Sequence, residues 1–285
     1  MANAVFGFDR WSEDYAFAGG SWSSAYPLAN LNVLPLSRVA RSSDASPAST
    51  QFVATYAGGR NVQLLGFVNH NASLDATFRL RLYADLGQTS LLHDTGWLEF
   101  WPVVFPWGSL PYGHISFWTG KYSTQDLAGY NATRPVWLPA AHLAQAIKVE
   151  ISDPSNPAGC FQLGQFEIAE GYQLGINPNY GAQYGFRYRT QSQESLGGVK
   201  YFERRPKPRV FQGVVEYADR DEVMSRAFEM FRRHDLDRPL LWVPDPDDTV
   251  HFLRNSFLAR LTDPGLFSFA AYGRDRLPFS IEEVL

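Results

Sequence analysis

A single cysteine, Cys160, stands in a chain of 285 residues. That excludes an internal disulfide and leaves no thiol partner for a structural zinc site. Such a chain suits assembly in a reducing cytoplasm. A basic excess is also missing: 25 Lys and Arg face 29 Asp and Glu, for a net charge of −4. A general nucleic-acid coat is therefore not expected, because phosphate binding needs an excess of cations. No stretch of 18 apolar residues occurs, so no membrane-inserted helix is expected. The N-terminus places Asp9, Glu13 and Asp14 early and lacks a basic segment followed by an apolar one, so no secretory leader is expected.

Catalytic signatures are absent as well. The six histidines, His70, His93, His114, His142, His234 and His251, include no pair at helical zinc-site spacing. There is no Gly-x-Ser-x-Gly elbow, no phosphate-binding Walker loop and no Gly-x-Gly-x-x-Gly after a strand. The sequence predicts a protein that is not an enzyme and that needs no cofactor and no metal. Asp245, Asp247 and Asp248 sit together among prolines. They would suit a calcium loop or a hydrolytic pair, but lack the glycine and glutamate of a calcium-binding loop, and Asp and Pro are turn formers. A solvated turn is the expectation there. His70 is expected to cap a strand end, and Cys160 to be a small core residue.

What the chain has in excess is rings: 21 Phe, 14 Tyr and 8 Trp, or 15% of all residues. Large rings favour strands and contact surfaces. Residues 1–172 hold nine basic and thirteen acidic residues, a net of −4, whereas residues 173–285 hold sixteen of each. This shift, and the Gly/Asn/Pro/Tyr-rich run Gly175–Gly185, predict a boundary near residue 175. The fold class expected is mainly β: an N-terminal arm over 1–19, a jelly-roll β-sandwich over 20–172, then an α+β domain of sheet plus one helix over 173–285.

In the first half, strands are predicted over 51–56 and 62–68 with a turn at 57–60. Thr77–Tyr83 alternates, with Phe78, Leu80 and Leu82 on one face and Arg79 and Arg81 on the other. Further strands are predicted over 146–151 and 160–168. In the second half, a strand over 210–217 precedes a helix over 219–234. Asp219 and Glu222 suggest a capping box, and Val223, Ala227 and Phe231, with Met224 and Phe228 beside them, form its apolar face. Strands are then expected over 239–243, 249–254, 257–261, 266–272 and 277–283.

Two stretches are candidates for recognition. Between Leu98 and Trp137 lies a run carrying Trp101, Trp107, Trp118 and Trp137, with Trp97 just before it, and broken by Pro102, Pro106, Pro111 and Pro135. Compact domains seldom carry so long a connection without function. Rings with polar tips, Trp107, Tyr112, His114, Trp118 and Tyr122, could stack on a sugar or anchor a protein, or else fill the core under a long loop. The second stretch, Lys200–Arg209, gathers Arg204, Arg205, Lys207 and Arg209 around two prolines. Glu203 interrupts it, which weakens a nucleic-acid reading. An edge segment pairing with a neighbour's carboxylates is preferred.

Several short motifs carry a resemblance. They are Tyr26-Pro-Leu-Ala-Asn-Leu-Asn32, Arg38-Val-Ala-Arg-Ser-Ser43, Val68-Asn-His-Asn-Ala-Ser73, Asp94-Thr-Gly-Trp97, Glu203-Arg-Arg-Pro-Lys-Pro-Arg209 and Arg238-Pro-Leu-Leu-Trp-Val-Pro-Asp-Pro246. Across residues 20–285 they resemble a group of tail proteins from long-tailed phages and prophages. The first half resembles the galactose-binding-like (discoidin-type) jelly roll, and the second is similar in layout to distal-tail proteins. The resemblance implies a structural part of the virion at the tail tip or baseplate, joining tail tube to host-recognition apparatus. It implies a ring of copies such as a hexamer, formed by 175–285, with tail-tube, tape-measure and hub proteins as partners and a host glycan as a further candidate. It transfers no ligand residue, because no ligand motif matches by position.

Overall fold

The structure is a computed structural model and describes residues 2–263 and 265–285. The chain is mainly β and divides into two compact units. One holds the residues up to Gln173 together with Leu241–Phe257; the other holds Leu174–Leu240 and Leu258–Leu285.

The first unit is the expected β-sandwich. Its main sheet runs, in spatial order, Ala40–Arg41, Gln162–Ala169, Phe52–His70, Thr133–Ser152, Thr77–Tyr83 and Leu91–Asp94, all antiparallel. Thr77–Tyr83 behaves as its alternation demands. Phe78, Leu80 and Leu82 are fully buried, while Arg79 reaches Asp94 and Arg81 pairs with Glu150 at 2.5 Å. The turn expected at 57–60 does not form. Phe52–His70 is one strand, and its register against Thr133–Ser152 slips between Thr55 and Arg60. A bulge absorbs the glycines, with Gly59 at φ +62°, because unbroken pairing keeps more backbone groups bonded than a hairpin turn would.

Residues 1–19 are not a free arm. Val5–Gly7 pairs with Tyr172–Gln173 on one side and Pro239–Val243 on the other, and Ala4, Val5 and Phe6 are completely buried. These three strands lie against the outer face of the main sheet. Leu241 fills the space left by Gly7 and Gly66, where an added Cβ would meet Leu64 and Leu241 at 2.7 and 2.6 Å. The apolar run Leu241–Val243 thus belongs to the first unit, which the division after residue 172 does not foresee. The strand expected over 249–254 is instead the short helix Phe252–Asn255. Phe252 and Leu253 close one side of the core.

In the second unit Gln183–Phe186, Arg209–Asp219, Arg274–Glu283 and Phe257–Asp263 are neighbours in that order, with Ser268–Ala271 also on Arg274–Glu283. The helix exists over 220–233 but contains a π turn, Val223–Ala227. The wider turn rotates its buried face to Val223, Ala227 and Met230, leaving Met224 and Phe228 about half exposed. Asp219 caps it by accepting from Asp221 N–H; Glu222 instead accepts from Gly175 N–H at 2.8 Å, so no capping box forms.

Arg209 corrects an expectation. It is 3% exposed, and Glu283 takes its Nε, Nη2 and backbone N–H at 2.9, 2.5 and 3.0 Å. A guanidinium so placed is a strut of the second unit and no surface contact. Removing one partner of a buried pair strands the other charge. Glu283→Ala is therefore expected to cost about 3 kcal/mol in denaturant unfolding. Glu283→Gln, which keeps an acceptor, is expected to cost less.

Candidate functional site

The aromatic run begins and ends inside the first unit. Phe100 and Trp101 are buried, and Trp101 Nε1 donates to the Ala72 carbonyl at 3.1 Å. At the far end Lys121 Nζ donates to Leu74 O at 3.0 Å and meets Glu99 at 3.2 Å. Tyr122 is also buried, and its hydroxyl donates to Val250 O at 2.7 Å. Burial holds the Tyr122 phenol above its usual pKa. The expectation that Tyr122 offers its polar tip to a ligand is thus corrected: its tip points inward because a buried hydroxyl needs an acceptor. Between these anchors, Val104 and Phe105 N–H both donate to Gly120 O at 2.8 Å, closing the base of a loop. Gly120 is obligatory there. Its φ is +63°, and a Cβ would lie 2.8 Å from Phe105 O.

Above that closure the loop is built of successive turns. Ser109 N–H bonds Pro106 O, His114 N–H bonds Pro111 O and Phe117 N–H bonds His114 O. These turns carry the rings outward. Trp107 is 76% exposed, Tyr112 85% and Trp118 73%. Phe117, half-buried, is the hub on which they lean. Its centroid is 5.6 Å from Trp107, 5.5 Å from Tyr112 and 5.1 Å from Trp118, the last in an edge-to-face contact at 88°. Trp107 and Trp118 are 6.1 Å apart and inclined by 50°, so their outer faces form an angled pair. His114 is exposed, with Nδ1 accepting from Ser116 N–H at 3.1 Å and its ring near Phe105.

The structure thus brings together Trp107, Tyr112 and Trp118, keeps His114 close by and withdraws Tyr122. Selecting rings by their polar tips passes over Phe117, which has none; its place between Ser116 and Trp118 is the only trace of its role in the sequence. The second stretch lies in the other unit. Arg204, Arg205 and Lys207 are exposed, Arg205 paired with Glu203 at 2.9 Å and Lys207 over the Tyr188 ring at 4.9 Å.

The remaining candidates are structural. Asp245 Oδ1 accepts from the N–H groups of Ala2 and Asp247, and Asp248 Oδ1 from those of Val250 and His251, as a turn requires. Among the described residues no cluster of three or more His, Cys, Asp or Glu side chains is placed to hold a metal ion. Cys160 is half-buried. His70 is buried against Phe100 and Trp101, and its Nδ1 accepts from Ala72 N–H at 3.3 Å.

Burial, with Arg134 nearby, pushes the His70 pKa down to about 3. The unfolded chain takes up this proton near pH 6.5 while the fold excludes it. The stability held by neutral His70 is therefore complete above pH 6.5 and falls as pH drops from 6.5 towards 3. Between pH 7 and pH 5 the loss expected is about 2 kcal/mol. Denaturant unfolding of His70→Asn, which keeps the acceptor without the titration, should show a shallower pH slope by that amount.

No family model matches the chain, and no curated protein matches it. Similar solved structures include the family 32 carbohydrate-binding module of Clostridium perfringens NanJ in complex with galactose, at 11% identity and a TM-score of 0.37 over 60% of this chain and all of that one. Another is the lectin-binding domain of lectinolysin complexed with Lewis b, at 11% identity and 0.35 over 57% and 94% of the two chains. A third, a carbohydrate-binding module from a Clostridium perfringens family 31 glycoside hydrolase, gives 11% and 0.34 over 55% and 94%.

Proposed function

We propose that this protein is a non-catalytic recognition protein that binds carbohydrate through Trp107, Tyr112 and Trp118. The observation that carries the reading is three large rings, each more than 70% exposed, held at fixed mutual angles by Phe117 on a loop anchored at both ends. Leaving such area in water is unfavourable unless a partner covers it. A pyranose ring presents C–H groups on its faces, and these carry partial positive charge that suits the negative face of an indole. His114, exposed on the same loop, adds a polar ring to this surface. The test is an array of immobilised glycans probed with the full chain and with Trp118→Ala. Binding by the first and not the second supports the reading; no binding to any glycan sinks it.

A second reading is that the chain is a structural component of a phage tail tip, assembled as a ring in the host cytoplasm. The motif resemblance motivates it, and the observation favouring it is the hairpin Gln191–Glu194 with Lys200–Glu203, exposed at every residue. Mass spectrometry of purified viral particles is its test, and absence from them would reject it. The two readings are compatible, since host attachment joins an assembly to a glycan.

A further inference from the structure

The second unit holds a cleft that neither reading above uses. Its volume is about 510 Å³, within the range of roughly 300–1,000 Å³ found for small-ligand sites. The floor is formed by two paired strands, Arg209–Asp219 and Arg274–Glu283. One wall is the turn Asn179–Ala182, which is tied to the floor by Asn179 N–H donating to Val214 O at 2.8 Å and closed by Ala182 N–H donating to Asn179 O at 3.1 Å. On the other side stand Asp263 and Gly265. Gly265 has φ +58° and lies so close to the floor that a Cβ would meet Pro278 Cγ at 2.7 Å.

The two ends of the cleft differ in what they leave unmet. At one end, four strands bring Gln183, Gln212, Ser280 and Asp263 into a single row, each in register with the next. At the other, Glu216 Oε2 accepts from Asn179 Nδ2 at 2.8 Å, and Glu216 Oε1 lies 3.8 Å from Arg276 Nε. Ser280 and Arg276 are four residues apart on one strand, about 13 Å at the rise of a strand. Between the ends lie Val214 and Pro278, opposite one another. Glu216 thus has its partners, whereas the row does not. Among the described residues the carboxamides of Gln183 and Gln212 have no hydrogen-bond partner. Asp263 accepts from Gly265 N–H at 3.1 Å, and among the described residues no cation pairs with it. The Ser280 hydroxyl accepts from Thr262 Oγ1 at 3.0 Å and retains a further lone pair. Tyr180, fully exposed at the rim, adds an aromatic face.

We propose that this cleft takes an arginine side chain of a partner peptide. It shares no residue with the aromatic loop and stands apart from both readings above. A guanidinium presents five N–H donors and no acceptor, which matches a row of acceptors around one unpaired carboxylate. Its three-carbon stem is apolar and suits the Val214–Pro278 stretch of the floor. The exposed face of the Tyr180 ring attracts a cation that passes over it. A carboxylate ligand would be repelled by Asp263, and a neutral one would leave that charge unpaired. Arg276 does not oppose the cation, because it sits at the far end with Glu216 beside it.

The experiment is a nuclear magnetic resonance titration of the full chain with the capped tripeptide acetyl-Ala-Arg-Ala-amide, following the side-chain amide signals of Gln183 and Gln212. Both signals are expected to shift and saturate. The same peptide with citrulline in place of arginine keeps the shape and removes the charge, and is expected to bind about tenfold more weakly. Asp263→Asn keeps an acceptor for Gly265 N–H, so it should unfold as the wild type does while binding the arginine peptide about tenfold more weakly. Trp107→Ala with Trp118→Ala should bind the peptide unchanged, which separates this site from the carbohydrate surface. No saturable shift at millimolar peptide overturns the proposal and leaves the carbohydrate reading untouched. Equal binding of the arginine and citrulline peptides overturns it too, because the cleft then reads no charge. Wild-type affinity in Asp263→Asn overturns the role given to the row.

Discussion

Replacing Trp118 by alanine is expected to abolish glycan retention while leaving the unfolding curve in place. The two halves of this result have separate physical origins. Trp118 is 73% exposed, so its removal opens no cavity, and surface substitutions of this kind fall within about 0.5 kcal/mol of neutral. Its contribution to binding is of another size. A ring that becomes covered in a complex loses most of its water, and truncating such an anchor costs about 2 kcal/mol or more, at least about thirtyfold in affinity. The double variant Trp107→Ala, Trp118→Ala removes both faces of the inclined pair and should leave no measurable retention on any immobilised glycan that the wild type binds. Phe117→Ala distinguishes a buttress from a contact. Phe117 lies beneath the three exposed rings, so its loss is expected to weaken binding by freeing them to rotate, with a less favourable entropy in titration calorimetry. Phe117→Leu, which keeps part of the bulk, should recover part of the affinity. If Trp118→Ala, the double variant and Phe117→Ala all bind as the wild type does, the rings are not the contact surface.

Part of this is legible in the sequence alone. Thr77–Tyr83 declares itself, because alternation from Thr77 to Leu82 leaves one consistent pleat, and its buried and half-buried sets fall as the pattern requires up to Tyr83, which is buried out of turn. The aromatic segment is conspicuous from composition alone. Which of its rings face water is a different matter. Trp101 and Trp107 are the same residue type six positions apart, one buried and one 76% exposed. The difference is made by Ala72 O and Val250 O, acceptors distant in sequence that draw Trp101 and Tyr122 inward. Similarly, Ala57–Arg60 has turn chemistry, and only its pairing partner across the sheet, Thr133–Ser152, keeps it extended as a bulge. The basic cluster splits for the same reason. Arg204, Arg205 and Lys207 stay in water, while Arg209, two residues on, is claimed by Glu283 near the chain's other end. Local pattern specifies faces; remote partners decide which polar group is buried.

Trp101→Ala is expected to be the most damaging single change in the first unit. The side chain is 2% exposed and packs beside His70 and Phe252, with centroids 5.3 and 6.3 Å away. Large-to-small substitution of a buried tryptophan costs about 3–5 kcal/mol through lost burial and the cavity left behind. To this is added the Ala72 carbonyl, which loses the Nε1 donor inside the core, a further cost of about 1 kcal/mol. Against a net stability of about 5–15 kcal/mol for a protein domain, this is a large fraction, and the unfolding midpoint should fall sharply. The functional consequence follows from position. Trp101 pins the chain just before the loop that carries Trp107, Tyr112 and Trp118, so loosening it removes one of the two anchors that fix their orientation. Variant protein that remains folded should therefore bind glycan more weakly, although no contact residue has changed. Trp101→Phe separates the two effects: it keeps most of the apolar area and loses only the indole N–H, so it should recover most of the stability. If Trp101→Phe binds as the wild type does while Trp101→Ala does not, packing rather than the hydrogen bond holds the platform; if Trp101→Ala leaves both stability and binding intact, the loop is anchored elsewhere.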